Sequence, residues 1–208
     1  MVGMETARVA AIRGHRVTLY EKEKRLGGLL PFVAMTKGLD QDYDVMIIAD
    51  RLKNRITKLG VDIHLGEEFE PSMIPREAPD VIVLATGGVP AVPEINGVNG
   101  NTMGLDELYH EIKEDLDLIA PRDFREMGYY WKSLGKNVVI VGGTMEGMGL
   151  AEFLADKCKD VTVLDEGDIY KSDPMSFEED RNITTYAGVT YGEITETGIS
   201  LTTKEGEK

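Results

Sequence analysis

One cysteine in 208 residues, Cys158, leaves this chain without an internal disulfide, a Cys-x-x-Cys redox pair or a cysteine-ligated cluster of its own. Basic side chains are scarce too. The 23 Lys and Arg stand against 37 Asp and Glu, and the net charge of −14 has the wrong sign for binding nucleic acid or an acidic membrane surface. No apolar run approaches the roughly 20 residues of a membrane span, and Glu5, Arg8 and Arg13 interrupt any signal-peptide core. His15, His64 and His110 have no metal-ligand spacing and read as surface or strand residues, so no metal site is expected. Ser133, Ser172 and Ser176 lack a nucleophile-elbow context, and Cys158 reads as a packing residue on a helix. With no general acid–base constellation, no catalytic residue is assigned. The expectation is a soluble cytoplasmic protein whose chemistry belongs to a bound cofactor.

Glycine-punctuated repetition is what the chain does have. It opens MVGMETARVAAIRGHRVTLYEKE, in which Gly3 leads a helical pattern (Met4, Ala7, Val9, Ala10, Ile12) that Gly14 stops. A strand-like stretch follows over residues 16–20 and ends on Glu21. The same order returns in GKNVVIVGGTMEGMGLAEFLADKCKDVTVLDEGD. A shift of 144 lays Gly147 on Gly3, Met148 on Met4, Ala151 on Ala7, Val161 on Val17, Thr162 on Thr18 and Asp165 on Glu21. The glycine-to-acid spacing is 18 in both copies. The second copy also carries an apolar strand, residues 138–141, running into Gly142 and Gly143. Mapped back, that strand falls ahead of Met1. The first unit is therefore expected to lack its opening strand and the front of its phosphate loop.

Between the copies, apolar strand-like runs alternate with helical ones, which argues for a parallel sheet with helices on both faces. Val45, Ile48, Leu52, Ile56 and Leu59 form one helical face, stopped by Gly60, and residues 61–65 alternate like a strand. Residues 80–85, Asp-Val-Ile-Val-Leu-Ala, read as a buried strand that ends in Thr86-Gly87-Gly88, with Pro90 and Pro93 marking a connection. A helix is expected around Leu108 to Leu118, then an aromatic loop with Tyr129, Tyr130 and Trp131. Residues 189–194 and 199–203 read as strands, and the final Lys-Glu-Gly-Glu-Lys as a turn with no closing element. Both ends read as clipped.

The chemistry of such a unit is nucleotide binding. A tight strand-to-helix turn aims backbone N–H groups and the helix's roughly +0.5 end charge at a pyrophosphate. An acid about 20 residues on receives the ribose hydroxyls, and Asp165 lies 23 after Gly142. A doubly wound turn that binds nothing is the alternative, and two departures favour it. Thr144 stands where the pattern wants its middle glycine, and Glu146 places a carboxylate beside the helix start.

Three stretches carry a family resemblance: GMETARVAAIRGHRVTLYEKEKRLGGLL, DVIVLATGGVPAVPEINGVNG and GKNVVIVGGTMEGMGLAEFLADKCKDVTVLD. Together they resemble the C-terminal half of the 2-enoate reductase and 2,4-dienoyl-CoA reductase family, of NADH:flavin oxidoreductases related to trimethylamine dehydrogenase. The resemblance implies an α/β fold of two interleaved Rossmann-like dinucleotide-binding domains. Residues 1–100 would be the FAD-type domain and residues 101–208 an inserted NAD(P)-type domain. It also implies electron flow from NAD(P)H to FAD, through a four-iron cluster to FMN, and on to an activated alkene. The FMN and the cluster would sit in an N-terminal barrel, a partner in the same or a separate chain, and a homo-oligomer is left open. By matching position, Gly3 would be the last glycine of the FAD phosphate loop and Glu21 the acid on the ribose, with Lys22 beside it among the cofactor-binding residues. Gly27, Gly28 and Leu29 would line the phosphate and flavin side, and Phe69 would meet the adenine. Ala85, Thr86 and Gly87 would touch FAD from the crossover loop, while Gly142, Gly143, Thr144, Gly147 and Asp165 would face NADH. The resemblance makes the chain part of an NAD(P)H-dependent flavin oxidoreductase that is not fully active alone. The competing reading is a non-redox adenine-nucleotide-binding or structural domain.

Overall fold

The computed structural model describes residues 1–36, 39–89, 91–97, 102–127, 134–157, 159–170, 182–203 and 206–207. The first helix, α1 (Val2–Ile12), buries Met4 and Ala7, three apart on one face. It stops because Gly14 takes φ +88°, a left-handed turn open to glycine. The chain then enters β1 (Thr18–Glu21). A short helix, α2 (Leu30–Thr36), and the 20-residue α3 (Leu39–Lys58) lead to β2 (Asp62–Leu65). Parallel strands need such a crossover, and β1 pairs with β2 in parallel from Thr18↔Asp62 to Glu21↔Leu65. Met4, Ala7, Ile56 and Val61 form the core here, with Val17, Leu19, Leu26, Leu52 and Ile63 packed around them.

After a 3₁₀ turn (Pro71–Met73) and the single-turn α4 (Ile74–Glu77), the expected buried strand does not form. Residues 80–85 lie outside any helix or strand, with Val81 77% and Leu84 80% exposed. A continuous apolar run suits burial on both faces, but a strand also needs a neighbour for its backbone groups. No described residue pairs with this one.

The second half contains α5 (Leu105–Leu118), α6 (Pro121–Arg125), β3 (Asn137–Val141), α7 (Met145–Asp156), β4 (Asp160–Asp165) and β5 (Ile183–Ala187). Its strands form a parallel sheet in the order β3-β4-β5. Strands β6 (Thr190–Thr195), β7 (Gly198–Thr203) and β8 (Gly206–Glu207) form a separate antiparallel sheet. The C-terminal turn expected to lack a closing element thus carries β8, paired with β7. The expected aromatic loop, Cys158 and the three serines lie outside the described residues.

The larger core joins Leu108, Ile112, Leu116, Phe124, Met148, Phe153, Leu154, Val161 and Val163. Phe32 and Met35 of α2 belong to it as well. Buried Arg125 reinforces that contact. Its guanidinium donates to the Met35 and Thr36 carbonyls at 2.7 and 3.3 Å, and to Asp156 Oδ2 at 2.7 Å. No helix among the described residues is long and apolar enough to cross a membrane, and none of their His, Cys, Asp and Glu side chains cluster as a metal site.

Candidate dinucleotide sites

In the second unit, β3 leads into Gly142, whose φ of +113° turns the chain toward α7. The Gly142 N–H donates to the Leu164 carbonyl at 2.8 Å, which ties the turn to β4. Asp165 ends β4 with both carboxylate oxygens engaged: Oδ2 accepts from the Gly143 N–H at 2.6 Å and Oδ1 from the Gly167 N–H at 2.7 Å. Thr144 is the N-cap of α7, and its hydroxyl accepts from the Gly147 N–H at 3.4 Å. Its oxygen is therefore folded onto the helix end. Gly147 packs so closely on the turn that a Cβ there would collide with the Gly142 carbonyl oxygen. Glu146 is exposed in the first turn of α7, where its charge suits the helix dipole and opposes a second anion. The structure thus brings Gly142, Gly143, Thr144, Gly147 and Asp165 together.

The first unit is looser. Gly3 lies in the first turn of α1, and a Cβ on it would stand 3.4 Å from Ala85 Cβ, so the 80–87 segment passes α1 at its start. Glu21, half-buried at the end of β1, accepts the Glu23 N–H through Oε1 at 3.1 Å. Its carbonyl accepts the Glu67 N–H at 3.1 Å, which draws the loop bearing Phe69 to the same strand end. Gly27 and Gly28 take φ of +123° and +59°, and Gly87 takes +82°. Nothing lies within 4 Å of a Cβ built at Gly28 or Gly87, so both offer open backbone. Lys22, Leu29, Ala85 and Thr86 are exposed. Arg25 Nη1 donates to the Leu116 carbonyl at 2.8 Å, and Lys113 pairs with Glu23 at 3.4 Å. The glycine turn is thereby anchored to α5.

An aromatic and charged cluster beside β1 was not anticipated. The His64 ring stacks on Tyr20 at 4.7 Å with 19° between planes, and Phe69 meets Tyr20 at 5.1 Å. His64 Nε2 faces Asp62 Oδ2 at 3.2 Å and Nδ1 faces Glu67 Oε2 at 3.1 Å. Two carboxylates on two ring nitrogens favour the imidazolium, which donates from both. The hydrogen bond to Asp62, then that to Glu67, lifts the His64 pKa above its ordinary value. The stabilisation from this pair is fully present below the unfolded pKa near 6.5 and is lost as pH rises through the raised folded value. An NMR titration should place the His64 midpoint above the ordinary histidine value near 6.5, and Asp62→Asn should lower it. An unchanged His64 midpoint in Asp62→Asn would refute the bridging role. The only sequence signal was the spacing of the acids, two before and three after His64.

Two parallel α/β units, each with a glycine-led helix and an acid-ended strand, define a Rossmann-like dinucleotide-binding protein. The chain belongs to the pyridine nucleotide-disulphide oxidoreductase family, whose sequence pattern matches residues 2–208. It is 29% identical to an NADH oxidase of Thermoanaerobacter brockii over 99% of this chain and 30% of that protein. It is 32% identical to a cinnamate reductase of Clostridium sporogenes over 79% of this chain and 21% of that one. Among solved structures, a complex of 2-naphthoyl-CoA reductase with 2-naphthoyl-CoA aligns with a TM-score of 0.74 and 31% identity, over 98% of this chain and 29% of the other. The chain spans under a third of the length of these relatives. These likenesses bear out the resemblance to the enoate reductase family.

Proposed function

We propose that this chain is an FAD- and NADH-binding electron-input domain of a multi-cofactor oxidoreductase that reduces activated alkenes. In this reading residues 1–100 hold FAD and residues 101–208 form the inserted NADH-binding domain. A barrel carrying FMN and a four-iron cluster receives the electrons. The observation that carries the reading is the repeated glycine-led helix with an acid at the end of the next strand. In the first unit the support is open backbone and a free carboxylate oxygen. Gly28 and Gly87 leave space over the backbone, and Glu21 Oε2 has no partner among the described residues. Gly3, Glu21, Lys22, Gly27, Gly28, Leu29, Phe69, Ala85, Thr86 and Gly87 would hold FAD. In the second unit each Asp165 oxygen accepts one amide and keeps capacity for a ribose hydroxyl. Bound FAD would supply hydride acceptance and one-electron transfer, while these residues would bind and orient it. The test is purification and reconstitution with excess FAD: a yellow, protein-bound flavin supports the reading, and a colourless chain refutes it.

A second reading, a non-redox adenine-nucleotide or structural domain, is favoured for the inserted half by Thr144 and Glu146. The Thr144 hydroxyl already occupies the Gly147 donor. Titration with ADP and NADH separates the two, because NADH binding with reduction of the flavin requires the redox reading. Within that reading NADH is expected to bind tighter than NADPH. Asp165 and the exposed Glu166 put two carboxylates where a 2′-phosphate would lie, and no arginine follows in residues 167–170. Even screened to about 1–2 kcal/mol, that repulsion gives roughly tenfold discrimination. Tighter NADPH binding in a calorimetric titration would overturn it.

A further inference from the structure

Side chains alternate along a strand, and Val17, Leu19 and Ile63 pack into the smaller core. Thr18, Tyr20, Asp62 and His64 therefore share the opposite face of the β1–β2 sheet, with Tyr20 directly across from His64 in the register. Beyond β2 the chain turns back along β1. Gly66 takes φ +70°, its N–H donates to the Glu23 carbonyl at 3.0 Å, and the Glu67 N–H donates to the Glu21 carbonyl at 3.1 Å. These two bonds fix where the loop begins. Its continuation is held by side chains, with Glu67 on the His64 ring and Phe69 on the Tyr20 ring.

His64 joins these contacts. One ring nitrogen faces Asp62 on its own strand, the other faces Glu67 of the loop, and the ring plane lies on Tyr20. The other charges at this cluster come from α4. Arg76 and Glu77 pair at 2.7 Å, both engage the Tyr20 hydroxyl, and the Glu77 carboxylate interacts with His64 as well. Of these residue types only histidine ordinarily changes charge between pH 6 and pH 9. An imidazolium donates to both Asp62 and Glu67. A neutral ring keeps one N–H and turns a lone pair on the second carboxylate, so one of the two contacts opens. Asp62 sits in a paired strand and Glu67 in a loop, and the loop is the side that gives way.

We propose that His64 is a positioning residue for the adenine end of FAD: as an imidazolium it clamps the Glu67 loop against β1 and so sets Phe69 beside the strand end that carries Glu21. This inference rests on the FAD reading of the first unit and adds a proton-linked control to it. The clamp is complete below about 6.5 and opens as pH climbs through the raised folded value. Asp62 and Glu67 are 71 and 43% exposed, so solvent screening holds the effect on FAD affinity to about two- to fivefold, the range of an exposed ion pair.

The test uses the full chain and two readouts. Without flavin, NMR follows the amides of Glu67, Glu68 and Phe69 from pH 5.5 to pH 9, and their signals should shift with the midpoint of the His64 ring. In His64→Arg, whose guanidinium stays charged and presents a fork of donors, they should not shift with that midpoint. In His64→Gln they should stay near their high-pH positions throughout. The second readout is FAD affinity by flavin fluorescence at pH 6 and pH 9. The wild-type Kd should rise by about two- to fivefold while that of His64→Arg stays flat. His64→Gln should bind at pH 6 as weakly as the wild type does at pH 9. Loop amides that titrate away from the His64 midpoint, a wild-type Kd equal at the two pH values, or the same rise in His64→Arg overturns the proposal and leaves the FAD reading standing. A chain that binds no FAD at either pH overturns both, whatever the loop amides do.

Discussion

Gly147→Ala is expected to cost about 2–3 kcal/mol of stability, the range of an overpacked contact, and, on the proposed reading, to abolish NADH binding at the second unit. The added Cβ would meet the Gly142 carbonyl oxygen head-on, with the Gly142 carbonyl carbon 3.2 Å away and Ile140 Cγ2 at 3.6 Å. Two of these three atoms are backbone, so no side-chain rotation relieves the collision. The helix must lift away from β3, and the turn that holds Gly142 and Gly143 lifts with it. Alanine's better helix propensity offsets at most about 1 kcal/mol. Gly3→Ala supplies the comparison, because its Cβ would meet only Ala85 Cβ at an ordinary 3.4 Å. That change should cost under about 1 kcal/mol. Urea melts of the two variants check the prediction, and equal midpoints would show that the glycines are interchangeable.

Arg125→Ala is expected to be at least as damaging, because one buried guanidinium serves the Met35 and Thr36 carbonyls and the Asp156 carboxylate together. Its removal leaves the Met35 and Thr36 carbonyls without that donor and separates Asp156 from its cation. The guanidinium also stands over the Phe153 ring, 5.0 Å from its centroid. Breaking a buried pair from one side costs roughly 3–5 kcal/mol. Asp156 is 38% exposed, so water recovers part of its solvation, and about 2–4 kcal/mol is the expected loss. Arg125→Lys should recover little, since an ammonium cannot span α2 and α7 with a planar fork. Unfolding by urea measures both variants. A wild-type midpoint for Arg125→Ala would mean that α2 is held by Phe32 and Met35 alone.

The parts of the molecule legible from sequence are those governed by short-range rules. Helical periodicity stopped by Gly14 and Gly60 located α1 and α3, because the chain reversals at those glycines are local. The 144-residue repeat located α7 and β4 from residues 2–12 and 18–21. It also brought Gly142, Gly143, Gly147 and Asp165 into one turn, because strand, turn, helix and strand are contiguous there. Even the Thr144 departure was visible as a residue type, although its role as the cap of α7 was not.

Tertiary structure decided what depends on distant partners. Residues 80–85 have the composition of a buried strand, but a strand exists only where a neighbour supplies backbone partners, and periodicity carries no information on that neighbour. Arg125 could not be singled out, since the Met35, Thr36 and Asp156 acceptors lie on α2 and α7, about 90 and 31 residues away. For the same reason the Asp165 carboxylate, identified from its place at a strand end, was found committed to the Gly143 and Gly167 amides only once the loop was folded. Local chemistry is written along the chain, whereas the direction in which a polar group turns is set by whatever the fold places opposite it.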